Sequence, residues 1–516
     1  MRLLELPTEL LVQIIAFTPH PDLDHFCLSC RAVRKAGEEI LTEHHLYQRR
    51  WKSYSLATAQ NLGEEPQTVL ALILAILMDS RVAEYIEVLN LREDSCQTEL
   101  DPRVEDILRD ESNRSALAAV VADSPFPLSD LWAEEDWPYD AATRQGGETW
   151  HYVELCTIVL LSLLPNLRTL TLPFEWTRTR HLRQDTWHFP REDRRSKIRA
   201  VLDVMVAKAN EGTDSDTPLA KLETLYPYSQ AQYDPRNGLR ELTPFLPLKG
   251  LTELYTSNMV AVEAGHGAGM YFDWYHSRNP WSSLRKIQLA GCCMTAYGIG
   301  ELVQHTPLLT SLAYSHHAKY HGISHDWDAA GFIAAIGKYR GDTLTELSVT
   351  IDALFGMIEH GVTSLKEFKK LETIELDVQV FAGPSFDAAD RVGEVGQGNA
   401  PVGHIWSPRN VPRLLHMLPS RIWNVQLFVP AYEGEVTKKK GPAILARLLK
   451  GLEGEDGEFM IAVRTNREGE EWVEVQSVLA KNGLLASRTW LERVRGRTMY
   501  PVWKEEFIER FGDVWA

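Results

Sequence analysis

The residues whose types and spacing suit binding chemistry are a histidine run, a cysteine pair and an arginine-rich stretch. His305, His316, His317, His321 and His325 stand close together with Asp326 and Asp328 beside them, and His317, His321 and His325 would share one face of a helix, as a zinc site could. Gly322 lies inside that stretch and Tyr314-Ser315 ends a predicted strand, so a loop is expected and no metal. Cys27-x-x-Cys30 is half of a zinc pattern, but no second CxxC follows and His20, His25, His44 and His45 complete no finger spacing. Both cysteines fall on the apolar part of a predicted helix and read as packed thiols. Residues 178–199 hold eight Lys/Arg against three Asp/Glu. They read as a solvated charged loop or as a dock for an acidic or phosphorylated segment, since arginine forks suit phosphate. Gly265-His266-Gly267-Ala268-Gly269 has the glycine content of a phosphate cradle without the Lys-Ser/Thr of a P-loop. GxSxG, HExxH and Cys/His nucleophile signatures do not occur, and scattered carboxylates identify no acid or base. No catalytic residue, no metal and no cofactor are therefore expected.

Composition narrows the class. The chain has 516 residues, 44% hydrophobic and 24% charged, which is ordinary for a folded protein, and the length allows several domains or one long repeat body. A net charge of −17 argues against nucleic acid or an anionic membrane as partner, because neutralising phosphates requires excess positive charge. Cys27, Cys30, Cys96, Cys156, Cys292 and Cys293 are too scattered for a disulfide framework, so a reducing compartment, cytoplasm and/or nucleus, is expected. The opening MRLLELPTELL is broken by Glu5, Pro7 and Glu9 and does not read as a signal peptide. The longest apolar run, VLALILAILM over residues 69–78, would span only about 15 Å as a helix, half a bilayer core, and is expected to be a buried helix. The sequon Asn113-Arg114-Ser115 carries no weight without an export signal.

Residues 3–51 predict three short helices. Pro7 suits a first turn, Leu10, Leu11, Ile14 and Ile15 follow at helical spacing, and Thr18-Pro19-His20-Pro21 ends the helix. Asp22 then caps a run with Leu23, Phe26, Cys27 and Cys30, and Arg31, Arg34 and Lys35 lead towards a helix over 38–51. Further on, an apolar-x-x-apolar-x-apolar phrase recurs at Ile86-Leu89-Leu91, Leu167-Leu170-Leu172, Leu284-Ile287-Leu289, Leu344-Leu347-Val349, Leu371-Ile374-Leu376 and Ile422-Val425-Leu427. Shorter copies stand at Leu222-Leu225, Leu251-Leu254 and Leu309-Leu312. From Leu225 the middle positions follow at intervals of 29, 33, 25, 35 and 27 residues, the spacing of a leucine-rich repeat with insertions. Amphipathic helices are predicted between strands at 150–164, 299–304, 329–339 and 411–417. Strand and helix in alternation predict an α/β solenoid with a parallel sheet on its concave face. Residues 390–403, 433–441 and 454–458 read as loops, and the aromatic-rich end reads as a cap, its WKEEFIERF also suiting a docking helix.

LPTELLVQIIAFTPHPDLDHFCLSCRAVRKAG resembles an F-box, the pattern Leu-Pro-x-Glu-Leu-Leu-x-x-Ile followed by Asp-Leu and Cys/Ser-Arg pairs. Leu6, Pro7, Glu9, Leu10, Leu11, Ile14, Asp22, Leu23, Leu28, Cys30 and Arg31 fall at the matching positions, while Val33 and Arg34 stand where many members carry a tryptophan. With the repeats, the chain is similar to leucine-rich-repeat F-box substrate receptors. That resemblance implies an α/β chain: an F-box over 1–51, a helical linker over 52–83, a solenoid over 84–465 with insertions near 93–150, 178–215 and 382–410, and a cap and tail over 466–516. It implies a non-catalytic subunit of a Skp-cullin-F-box (SCF) ubiquitin ligase in the protein-degradation pathway. Leu6, Pro7, Glu9, Leu10, Leu11, Ile14, Leu23 and Leu28 would hold a Skp-type adaptor and through it a cullin/RING complex, with an unidentified target protein on the solenoid. Residues between the buried leucines would face the target, Tyr226, Tyr255, Gln288, Glu346, Glu375 and Gln426 foremost, among neighbours such as Thr169, Thr171, Lys286, Ser311, Ser348, Thr373 and Asn424. The alternatives are an F-box scaffold that delivers no target, and an enzyme whose dispersed site leaves no local motif.

Overall fold

Leucines on alternate strand positions have one way to leave water together, which is to line up across neighbouring strands. The computed structural model describes residues 6–63, 66–92, 102–132, 150–173, 176, 191–212, 216–227, 237–263, 271–274, 281–319, 326–354, 356, 358–383, 408–429, 440–450, 460–465, 489–492 and 501–514. The chain forms two compact units, Met1–Trp176 with His188–Tyr226, and Thr177–Trp187 with Pro227–Ala516.

The first unit opens with α1 (Thr8–Ala16), α2 (His20–Leu28), α3 (Arg31–Ala36) and α4 (Glu38–Trp51), four helices where three were expected. The additional break falls at Cys30, which is extended and accepts the Val33 N–H on its sulfur at 3.4 Å, so that 31–36 starts as a helix of its own. α2 starts at His20 and not after Asp22, because Pro19 precedes it and Pro21 occupies its first turn, where a missing N–H is harmless. Ile15, Leu23, Cys27 and Val33 form the core of this head. After β1 (Ser53–Ser55) and α5 (Leu56–Leu62), the apolar run forms α6 (Val69–Met78), begun by Thr68, whose hydroxyl accepts the Ala71 N–H at 3.2 Å. α6 packs against the helix Trp150–Ser162, and among the described residues no helix is long and apolar enough to cross a membrane. α7 (Arg81–Tyr85) leads into β2 (Val88–Asn90), followed in the chain by β3 (Thr169–Leu172) and β4 (Thr224–Pro227). β1, β2 and β3 are parallel neighbours, with β4 next to β3, and Leu89, Leu170 and Leu225 are fully buried.

The second unit holds β5 (Asn237–Gly238), β6 (Glu253–Ser257), β7 (Met259–Ala261), β8 (Lys286–Met294), β9 (Ser311–His317), β10 (Trp327–Asp328), β11 (Glu346–Ala353), β12 (Ile358–His360), β13 (Thr373–Asp377), β14 (Asn424–Val429), β15 (Met460–Thr465) and β16 (Thr489–Glu492). Its main sheet is parallel in the order β6-β8-β9-β11-β13-β14-β15-β16, with β5 and β7 paired alongside β8 and β10 paired with β12. Leu254, Ile287, Leu312, Leu347, Ile374, Val425 and Ile461 stand in register as one buried row. The next residue of each strand, Tyr255, Gln288, Ala313, Ser348, Glu375, Gln426 and Ala462, forms a row on the opposite face. β16 lies within the stretch expected only to cap the chain, so the sheet runs on into it.

The intervening helices are Ala296–Gln304 and Ala329–Arg340, which pack on each other, Leu414–Met417 and Lys440–Leu448. The helix predicted over 411–417 is confined to Leu414–Met417: Pro412 disfavours helical geometry at Val411, and Arg413 is extended just before the first turn. His317 ends a strand and does not share a helix with His321 and His325, which lie outside the described residues. Residues 178–190 of the basic stretch, 265–269, 390–403, 433–439 and 454–458 also lie outside them, while Arg191–Glu211 is helical.

Gly298 fixes how closely a helix approaches the sheet. Its N–H is received by the Thr295 hydroxyl at 3.2 Å, and a Cβ added there would lie 2.2 Å from the Ala261 carbonyl oxygen. Gly298→Ala is expected to destabilise the second unit by about 1–3 kcal/mol, the usual cost of overpacking, and a lower urea midpoint checks it.

Candidate protein-docking surfaces

α1 carries more apolar side chains than one face can bury. Leu11 and Ile15 turn inward, Leu11 at 6% exposure and Ile15 at 0%. Leu10, Ile14 and Phe17, spaced four and three residues apart, form a second stripe left in solvent at 43, 37 and 87% exposure. Pro7 and Glu9 are also exposed, Leu6 is half-buried, and Leu28 on α2 is 65% exposed. Of the eight residues expected at an adaptor contact, Leu11 and Leu23 are buried, Leu23 in the head's own core. Phe17 joins the outward set and was missed, although its spacing from Leu10 and Ile14 announces it. Cys27 is a core thiol raised above its ordinary pKa by burial.

In the same unit α2, α4 and α7 share a polar cluster. Tyr85 Oη lies 2.8 Å from His44 Nδ1 and 2.9 Å from His20 Nδ1, so its single proton goes to one ring and it accepts from the other. His20 Nε2 is 2.9 Å from Glu84, His45 Nε2 is 2.8 Å from Asp24, and a cleft of about 80 Å³ opens beside His20, His44 and Tyr85. Burial holds the His44 imidazole below its ordinary pKa of 6.5, with Asp24 opposing and His20 and His45 adding to the effect. The fold therefore binds fewer protons at His44 than the unfolded chain does, and this contribution to stability is lost as pH falls below about 6.5. The urea midpoint of the chain is expected to drop between about pH 7 and pH 5.5, and to drop less in His44→Gln, which keeps a donor for Tyr85 without a titrating ring.

The second surface is the polar row of the main sheet, and the C-terminal helix Val502–Phe511 lies on it. The Val502 N–H donates to Glu375 Oε1 at 2.9 Å, and Lys504 Nζ donates to Asp352, whose other oxygen accepts from the Ser315 hydroxyl at 2.6 Å. Arg510 donates to Glu253 at 2.9 Å and to the Tyr255 hydroxyl at 2.5 Å, with its guanidinium 4.6 Å from the centre of the Tyr255 ring. Phe511 stands 4.7 Å from that ring, centre to centre, and Glu506 and Glu505 reach Lys286 and Arg464 at 3.8 and 3.9 Å. Burial pushes the Glu375 carboxyl above its ordinary range against the opposing Val502 N–H, Arg464 and Lys504, while at Glu253 the effect of burial is outweighed by Arg510 and the carboxyl stays low. Burial, with Lys319 nearby, pushes the His317 imidazole down.

The helix changes the standing of the six residues assigned to target contact. Tyr255, Gln288, Glu375 and Gln426 share one row, with Glu346 on the same face two residues before that row's Ser348. Tyr255 and Glu375 are buried beneath the helix, Gln288 is buried between them in the row, and Tyr226 is buried because β4 is covered on both faces. Glu346 is exposed and accepts from the Ser311 hydroxyl at 2.8 Å, and Gln426 is half-buried. Glu253, Asp352 and Arg464, which receive the helix, carry no sequence signal of that role. No protein-family model matches the chain, and no curated protein matches its sequence.

Proposed function

We propose that this chain is the substrate-recognition subunit of an SCF-type ubiquitin ligase. The head over 1–51 acts as an F-box that docks on a Skp-type adaptor and through it on a cullin/RING complex. The repeats form a leucine-rich-repeat solenoid, and the polar face of its parallel sheet holds a target protein for ubiquitination in cytoplasm or nucleus. The subunit catalyses nothing itself: it raises the concentration of a target lysine near the ubiquitin thioester.

The observation that carries this reading is the outward stripe of Leu10, Ile14 and Phe17, with Pro7 and Leu28 exposed, on a head whose sequence follows the F-box pattern. A head of about fifty residues gains little from its own small core, and an adaptor that covers the stripe supplies burial of about 1.5–3 kcal/mol for each large side chain fully removed from water. Co-expression with a Skp-type adaptor tests it. The two chains should co-elute in equal amounts on gel filtration, and separate elution at micromolar concentration would refute the assignment.

A further inference from the structure

The C-terminal helix has the make-up of a ligand. Trp503, Phe507 and Phe511 recur every four residues and Lys504, Phe507 and Arg510 every three, so all five share one side, and Trp503, Lys504 and Phe507 are buried on the sheet. What receives them is a polar surface: Asp352 for Lys504, Glu253 and Tyr255 for Arg510, and Glu375 for the Val502 N–H. Aromatic and arginine anchors over charge-assisted hydrogen bonds are the composition of an interface, whereas the leucine row on the other face is the core the sheet is built on. If the helix departs, water can take over the carboxylates and the leucine row stays buried.

Building on the receptor reading, we propose that this sheet face is the target-binding groove, and that the helix Val502–Phe511 is its resident ligand, which a target must displace. The target then presents an amphipathic helix with the same chemistry: a lysine preceded by an aromatic residue, a second aromatic three residues on, and an arginine six residues on. Covalent attachment gives the resident helix an effective concentration on the order of millimolar, so the groove admits only targets that bind more tightly or arrive tethered.

A fluorescently labelled peptide of residues 501–514 tests this on two proteins. The chain ending at residue 500 should bind the peptide saturably, the Lys504→Glu peptide at least tenfold more weakly, and the full chain should bind the wild-type peptide at least tenfold more weakly than the shortened one. In case the shortened chain does not fold, the full chain is also prepared with a protease site inserted between residues 493 and 500 and is cut after folding. The released helix should then exchange for labelled peptide while the circular dichroism spectrum is unchanged. Equal peptide binding by full and shortened chains, or a cut helix that leaves only when the protein unfolds, would make the helix a fixed part of the fold and overturn the proposal. No adaptor is present in these measurements, so failure of the groove and failure of the F-box assignment are read separately.

Discussion

Leu10→Asp combined with Ile14→Asp is expected to abolish adaptor binding and leave the chain folded. Both side chains are more than a third exposed, so aspartate at these positions meets water in the free protein. In the complex it would be desolvated against an apolar partner without a hydrogen bond, which costs several kcal/mol on top of the lost burial. Binding should weaken by at least about a hundredfold, equivalent to about 2.7 kcal/mol, with the urea midpoint unchanged. Ile15→Asp is the contrasting variant: Ile15 is fully buried against Leu23, Cys27 and Val33, so that change should unfold the head. Unaltered adaptor affinity in the double variant would remove the stripe from the interface.

Lys504→Glu is expected to release the C-terminal helix. Lys504 and Asp352 are both nearly inaccessible, and the substitution replaces a buried ion pair with two facing carboxylates close to Glu375. Loss of one partner from such a pair costs about 3–5 kcal/mol, because the remaining charge stays buried, and reversal costs more. A short helix held by a few such contacts does not survive that loss. Amide hydrogens of 502–511 should exchange at least a hundredfold faster while those of β8, β9 and β11 keep their protection. Lys504→Met together with Asp352→Asn, which removes both charges, should recover much of the protection lost in Lys504→Met alone. Unchanged protection of 502–511 in Lys504→Glu would show that the pair does not hold the helix.

How much of this was legible in the sequence follows from the range of each interaction. The repeated leucine phrase located β2, β3, β4, β6, β8, β9, β11, β13 and β14, because a two-residue period with leucine on one side is a local signal. SYS at β1, MIAVRT at β15 and TWLE at β16 lack that phrase, and their pairing comes from neighbours far along the chain. In α1 the doublets Leu10-Leu11 and Ile14-Ile15 are apolar around most of the helix, so periodicity could not say which member of each faces the core. That Tyr255, Gln288, Glu375 and Gln426 lie between buried leucines, in one row, was legible in the strand phrase. Its cover was not, because Glu375 meets Val502 across 127 residues and Glu253 meets Arg510 across 257, separations on which local pattern is silent.

Proximity labelling from the full chain in cells, with and without proteasome inhibition, alongside the Leu10→Asp, Ile14→Asp chain, separates a receptor from a scaffold. For a receptor, a labelled protein should accumulate around the wild-type chain only under inhibition and around the variant in either condition, because the variant binds its target and cannot deliver it. A set of labelled proteins unchanged by the inhibitor and by the variant would contradict delivery and leave a scaffold in its place.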